Sequence, residues 1–315
     1  MENDFIGKEN SVVIMTSGLL AVLIATRNRP QNLLRALESI AASGSVPTVV
    51  IVVSSGNDVS QIINSPQWPF LVIHEHILGY GQIRQKQAGI ALIPDYIQWT
   101  LFMDDDILLD PQAITNALSM IQNSSEPILG IGFGSNSKKR SSSFKSRLGS
   151  KKLGKVTSDG RNLDYTLSKE SIPTEWLNGI SMWNRSVLYL YDFPYLDSKY
   201  SICEDLIFSY NVSRFGKIVY APSCQFTFQL DEPKLVNSFD GFRANAYWRL
   251  YFVLSNPRLS ERKYLFVQFY RTVKFLLVKK SHDVRRLDIC LIYLDLIRIV
   301  LKRIDPVLML RSRKV

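Results

Sequence analysis

Gln98-Trp99-Thr100-Leu101-Phe102-Met103-Asp104-Asp105-Asp106-Ile107 is the stretch on which the reading of this chain turns. An apolar run of strand length, Gln98–Met103, ends abruptly in three carboxylates. Adjacent like charges repel, so such a cluster costs stability unless a cation compensates. Mg²⁺ and Mn²⁺ are hard ions that take one or two carboxylates together with phosphate oxygens. Side chains alternate with period two in an extended segment, which turns Asp104 and Asp106 the same way. The competing reading is a solvated acidic loop, and taken alone the cluster barely decides between the two. Its place at the end of an α/β strand favours the ligand site, because open α/β sheets bind ligands at the carboxyl ends of their strands.

The flanking sequence supports that setting. Before the acidic run, Leu19–Ala25, Thr48–Val53 and Phe70–His74 read as strands. Thr48–Val53 is near-continuously apolar, as a strand buried on both faces should be. Pro30 opens a helix with periodic Leu33, Leu34, Leu37 and Ile40, and Gln82–Ile93 reads as a second helix. After the acids, Pro111 starts a helix running through Ile121. Strand and helix in alternation imply right-handed βαβ units and a mostly parallel sheet. Further on, Trp176–Trp183 is an apolar segment, Glu204–Phe215 a helix ending at Gly216 as a C′ glycine, and Lys217–Ala221 a last strand. Beyond residue 240 the chain reads as three helices, 240–255, 261–280 and 284–303.

Composition sets the bounds. The 315 residues are 46% hydrophobic and 21% charged, which suits one large α/β domain with an appendage. The net charge of +10 lies wholly in residues 256–315, while residues 1–255 are neutral in sum. A basic tail points to an anionic surface, and lipid headgroups are favoured over nucleic acid. In 263–280, Lys263, Gln268, Arg271, Lys274 and Lys279 fall on one half of a helical wheel. Leu265, Phe266, Phe269, Val273, Leu276 and Leu277 fall on the other, the pattern of an interfacial helix or of one packed on a neighbouring domain. Cys203, Cys224 and Cys290 are far apart and odd in number, which argues against a disulfide framework and for a reducing cytoplasm. No segment has the run of about 18 apolar residues that a spanning helix needs. Asn136–Lys155, with eight Lys/Arg, six serines and no acids, reads as an exposed, mobile loop.

Two further groups carry candidate chemistry. Glu204-Asp205 opens a predicted helix. Acids there are favoured by the helix dipole alone, which would lower the pKa of Asp205 and keep it ionised. The functional alternative makes one of them a general base for an acceptor hydroxyl. Trp176-Leu177-Asn178-Gly179-Ile180-Ser181-Met182-Trp183 sets an amide and a glycine between two indoles, which suits contact with a sugar but suits a core strand with a bulge glycine as well. His74 and His76 share one face of a strand and read as strand-end residues outside these groups.

In order and spacing, these segments resemble the inverting glycosyltransferases of family 2, over about residues 19–255. The resemblance implies a GT-A nucleotide-diphospho-sugar transferase fold for 1–255, with 256–315 as a basic amphipathic helical extension. Thr26-Arg27-Asn28-Arg29-Pro30 looks like the family's first-strand motif, which contacts the nucleotide. Gly81–Gly89, with Arg84 and Lys86, looks like its Arg-Asn-x-Gly segment. Asp104-Asp105-Asp106 matches its D-x-D motif, which implies donor contacts from Asp104 and Asp105 and a Mg²⁺ or Mn²⁺ ion on Asp104 and Asp106. Trp176, Asn178 and Gly179 fall where the family binds donor sugar and acceptor. Glu204-Asp205, with Arg214 and Gly216, matches the segment whose aspartate is the catalytic base. Where the family often holds uridine with an aspartate, this chain has Ser54-Ser55-Gly56-Asn57-Asp58, which keeps Ser54 as a donor contact and leaves dTDP- and GDP-sugars open. Beyond Pro222, where many members place a metal-binding His, stand Phe226, Phe228 and Gln229.

The resulting expectation is transfer of a sugar from a nucleotide sugar to a glycan or lipid-linked glycan, with inversion, by a cytoplasmic protein peripheral on the inner face of the plasma membrane and without nucleic-acid partners. A metal-dependent phospho- or nucleotidyltransferase and a non-catalytic sugar-nucleotide-binding relative are the alternatives.

Overall fold

Apolar residues at alternate positions of the first strands feed two separate cores, one on each face of a central sheet. The computed structural model describes residues 19–64, 67–79, 81–136, 153–194, 202–229, 239–277 and 286–307. Strand β1 (Leu20–Arg27) sends Leu20, Val22 and Ile24 to one core and Ala21 and Leu23 to the other. Strand β2 (Val49–Ser55) does the same with Val50 and Val52 against Val49, Ile51 and Val53. Both are buried along their length, which explains sequences with no polar face.

The remaining elements follow in chain order. Helix α1 (Pro30–Ala41) carries proline at its start, and α2 (Ser60–Ile63) is a single turn. Next come β3 (Leu71–His76), α3 (Gln82–Ala91), β4 (Trp99–Asp104), β5 (Ile107–Leu109), α4 (Ala113–Gln122) and β6 (Ile128–Ser135). Then follow β7 (Ile172–Thr174), β8 (Ser181–Asn184), a 3-10 helix (Arg185–Leu190), α5 (Glu204–Val212) and β9 (Lys217–Phe228). Three helices close the described chain, α6 (Phe239–Leu254), α7 (Glu261–Leu277) and α8 (Arg286–Lys302).

The sheet order is β3-β2-β1-β4-β8-β6-β9-β5, with β7 beside β9. Strands β3, β2, β1 and β4 are mutually parallel, as the βαβ pattern implies. Beyond β4 the sheet is mixed: β8 runs antiparallel to β4 and β6, while β6 and β9 are parallel. Helices α1 and α4 cover one face, and α3, α5 and α6 the other.

Two expectations need correction. Of Trp176–Trp183, only the residues from Ser181 form a strand; Trp176–Ile180 is a loop between β7 and β8, and it delivers Asn178 and Gly179 to the sheet edge. Gly216 is not among the residues with positive φ and so does not serve as a left-handed C′ glycine. It supplies space instead, since a Cβ there would stand 2.6 Å from Leu129 Cδ1. The segment 137–152, most of the predicted loop, lies outside the described residues.

Helix α6 belongs to two cores at once. Ala244, Trp248 and Phe252 pack toward the sheet, while Ala246, Tyr247, Leu250 and Val253 pack with α7 and α8. Val307, past α8, returns to the sheet-side core. The outward side of α7 and α8 stays apolar, with Phe266 71%, Leu277 78% and Leu294 58% exposed.

Candidate active site

Strand β4 ends where its neighbours end, so the acidic run meets the carboxyl edge of the parallel half-sheet. Its three carboxylates have different surroundings. Asp105 is buried and turned inward, accepting hydrogen bonds from Thr26 Oγ1 at 2.7 Å and from an Arg29 guanidinium nitrogen at 3.1 Å. Burial still pushes its pKa up, with Thr26 and Arg29 opposing. Asp104 accepts from Gln82 Nε2 and lines a large cavity. Asp106 lies 3.7 Å from Arg29, and burial plus the charges of Asp104 and Asp105 raise its pKa to about 6.

Thr26 is thus committed to Asp105, and its own carbonyl takes a hydrogen bond from the buried Gln85 amide, which also reaches Val53 O. Asn28 adopts φ 56° and is exposed, and its Oδ1 accepts the Asn57 backbone N–H at 2.9 Å. That tie requires glycine at 56, where φ is +83° and a Cβ would fall 2.0 Å from Asn28 Oδ1. Arg27 lies half-buried beside it, and Arg84 donates to Leu78 O. Ser54, at the end of β2, contacts His74 Nε2 at 2.8 Å and His76 Nδ1 at 3.0 Å. The two histidines stand at the end of β3, as read from the sequence, and are tied there to Ser54 of β2. Burial, then His76, lowers the pKa of His74.

The second acidic pair begins α5, where Cys203 precedes the helix at φ 74° without a side-chain cap. Glu204 is buried and paired with the buried Lys86 ammonium at 3.3 Å. Burial depresses the Lys86 pKa, but Glu204, Asp104 and Asp205 outweigh it and the net direction is upward. Asp205 is half-buried, lines the same cavity as Asp104 and accepts the Leu206 N–H at 2.8 Å. Its pKa is raised to about 7, by burial first and Glu204 second. The dipole expectation for Asp205 is thereby overturned: desolvation and a like charge next door outweigh the helix terminus.

In the β7–β8 loop, Gly179 borders the cavity, and a Cβ there would meet only Asp104 Oδ2 at 3.9 Å. Asn178 is held by Tyr165 Oη on its N–H and gives its amide to Phe133 O. Trp176 donates to Leu163 O and packs against Tyr165 with the rings tilted by 44° at 4.5 Å, so its ring braces the loop.

Three residues with roles at this edge were not singled out from the sequence: Arg29, Gln82 and Gln85. All three lie inside the quoted motif segments, but each acts on a partner at least 22 positions away, which local sequence does not reveal. Among the described residues no group of three His, Cys, Asp or Glu side chains gathers as a metal site. The donor set nonetheless fits a hard cation. Asp104 and Asp106 crowd each other electrostatically, and Gln229 leaves its Oε1 buried and unpartnered while its Nε2 donates to Asp105 O and Asn32 O.

A half-parallel sheet with carboxylates at the end of β4 and at the start of α5 defines the GT-A class of nucleotide-sugar transferase fold. The model of the glycosyltransferase-like family 2 matches residues 17–224, about two thirds of the chain, and the chain belongs to that family. Its class of chemistry is accordingly sugar transfer. Among solved structures, TarS 1–349 of S. aureus is 16% identical, covers 83% of this chain and 75% of its own, and superposes with TM-score 0.54. A longer S. aureus TarS chain gives 14%, 82%, 44% and 0.52, and the complex of TarS 1–349 with UDP-GlcNAc gives 13%, 88%, 71% and 0.50. At these identities the likeness establishes the fold. No curated protein sequence matches the chain.

Proposed function

We propose that this protein transfers a sugar from a nucleotide-diphospho-sugar to a hydroxyl of a glycan or lipid-linked glycan, with inversion, and that Asp205 is the base. The observation that carries this reading is the pairing of Asp104 and Asp205 on one cavity, one at the donor edge and one at a helix start. A base works best with a pKa near the working pH, and Asp205 at about 7 meets that condition. The acceptor oxygen attacks the anomeric carbon, its proton passes to Asp205, and the bond from that carbon to the diphosphate oxygen breaks. Glu204 is held by Lys86 and serves to set the charge around Asp205.

Donor contacts are assigned to Arg27, Asn28, Arg84 and Asp104. Thr26, Ser54, Asp105 and Lys86, expected as donor contacts, shape the edge from beneath, because they are buried and their polar groups are already engaged. A divalent Mg²⁺ or Mn²⁺ ion on Asp104 and Asp106 would neutralise charge on the leaving diphosphate. Trp176, Asn178 and Gly179 form the acceptor-side loop, with Gly179 leaving room beside Asp104.

Among the described residues no helix is long and apolar enough to cross a membrane. The apolar outer faces of α7 and α8, flanked by exposed Arg262, Lys263, Lys274, Arg298 and Lys302, support peripheral attachment to an anionic membrane surface. Residues 1–255 are assigned as the catalytic domain and 256–315 as the attachment unit.

The test is nucleoside diphosphate release from a panel of UDP-, dTDP- and GDP-sugars with Mn²⁺ or Mg²⁺, repeated in excess chelator. Release from one donor, lost in chelator, is expected. Full release in chelator would remove the metal, and no release with any donor and a glycan acceptor mixture would remove the transferase reading.

A further inference from the structure

The cavity that holds Asp104 and Asp205 does not end at them. It encloses about 910 Å³ and continues between the three C-terminal helices. Its far wall is Phe242 of α6, Phe275 of α7, and Ile289, Ile292 and Leu296 of α8. That volume is at the upper end of small-molecule sites. Of the assigned donor contacts only Asp104 lines it, while Arg27, Asn28 and Arg84 do not, so the donor meets the cavity at its Asp104 end. Asn245, Gln268, Thr272 and Tyr293 add a few polar groups, but a carbohydrate filling the far end would still set many hydroxyls against phenyl and aliphatic groups, and buried polar groups without partners are costly.

One charge interrupts the apolar wall. Arg271 of α7 lines the cavity and makes no ion pair or hydrogen bond among the described residues. Its charged surroundings are the guanidiniums of Arg249 and Arg161 and the carboxylate of Asp159, which Arg161 already engages. Arg249 spends its donors on Gly160 O, Asn162 Oδ1 and Cys203 Sγ, none of them anionic carboxylates. A surplus of positive charge therefore borders the cavity at Arg271, where an anion would be held by charge-assisted hydrogen bonds.

We infer that this cavity binds an amphiphilic acceptor, with its apolar chain between α6, α7 and α8, a phosphate group against Arg271, and the hydroxyl to be glycosylated at Asp205. The inference rests on the transferase reading for the role of that hydroxyl. The outward apolar faces of α7 and α8 fit the same substrate class, because they set the cavity's own walls beside a lipid surface.

Dodecyl phosphate, kept below its micelle concentration and titrated calorimetrically into the full chain, tests the site without requiring transfer. Wild type is expected to bind it, and Arg271→Gln to bind it more weakly by about tenfold or more. Ile289→Trp, which fills the apolar end, should lose binding to a similar degree, with Gln268→Trp as the second filling variant should the first fail to fold. Phe266→Ser, on the outer face, should bind as wild type does. Unchanged affinity in the Arg271 and filling variants, or loss of binding in Phe266→Ser, would overturn the site in favour of surface adsorption. Dodecyl maltoside binding as tightly would overturn the anion contact, and inorganic phosphate binding as tightly would overturn the apolar one. If dodecyl phosphate behaves as expected while no nucleotide sugar is turned over, the cavity stands and the transferase reading falls.

Discussion

The two acidic clusters, Asp104–Asp106 and Glu204–Asp205, are built on one plan with different partners. In each, one carboxylate is buried against a cation and its neighbour in sequence faces the shared cavity. Asp105 is fixed by Thr26 and Arg29 and leaves Asp104 at the cavity. Glu204 is fixed by Lys86 and leaves Asp205 there. The clusters differ in how the fixed acid is satisfied. Asp105 has two donors, one of them from a partly exposed arginine, whereas Glu204 depends on one fully buried lysine. The difference predicts a graded response to mutation: the α5 pair is brittle, and the β4 cluster tolerates more.

The largest effect should come from Lys86→Met. Removing one partner of a buried ion pair leaves the other charge uncompensated and costs about 3–5 kcal/mol. Chemical denaturation should show that loss, and Lys86→Met/Glu204→Gln should recover part of it, since both charges are then gone. A single variant as stable as wild type would show that the pair does not hold α5. In the other cluster, Asp105→Asn keeps its size and retains an oxygen for Thr26, so the cost should be smaller, about 1–3 kcal/mol. Equal losses in the two clusters would erase the contrast.

A pH series sharpens the same comparison. Asp205 in the folded chain titrates near 7 instead of its ordinary 3.8, so the folded state keeps a proton that the unfolded chain has released. Stability from this group is present below pH 4 and is lost as pH climbs toward 7. Asp205→Asn should therefore exceed wild type in stability above pH 7, with the gap closing toward pH 4. Glu204→Gln removes the charge next in rank after burial, and the rising limb of the transfer rate should move to lower pH. A limb that stays in place would detach Glu204 from the setting of Asp205.

The smallest expected effect concerns α7 and α8. Binding to anionic vesicles should weaken as salt rises, because exposed charges are screened over about 8 Å at physiological ionic strength. Phe266→Ser/Leu277→Ser should weaken it further at fixed salt, and sedimentation with vesicles measures both. Equal binding to neutral and anionic vesicles would contradict the electrostatic part.

Much of the sheet's first half was legible because its strands are short, apolar and separated by helical segments, the first of them opened by Pro30. The mixed second half was not, since nothing in Ser181–Asn184 announces that this strand inserts antiparallel between β4 and β6. Both acidic clusters could be found from local sequence. Which acid of each is held and which faces the cavity could not, because the answer lies in Arg29 at 76 residues' separation and Lys86 at 118. The α6–α8 wall of the cavity was equally hidden. The wheel of α7 separates basic from apolar positions, yet Phe275 and the solvent-exposed Arg271 both line the cavity while Phe266 and Leu277 face outward.

The central claim is that Asp205 works and Glu204 holds. It is tested most directly by single-turnover sugar transfer with Asp205→Asn and Glu204→Gln side by side, each corrected for folded fraction and donor affinity. Removal of a correctly placed base costs roughly 10²–10⁴-fold. Asp205→Asn should show that loss with donor affinity within a few-fold of wild type, and Glu204→Gln should retain most of its rate near neutral pH. Near-normal transfer by Asp205→Asn, together with loss in Glu204→Gln, would contradict the assignment.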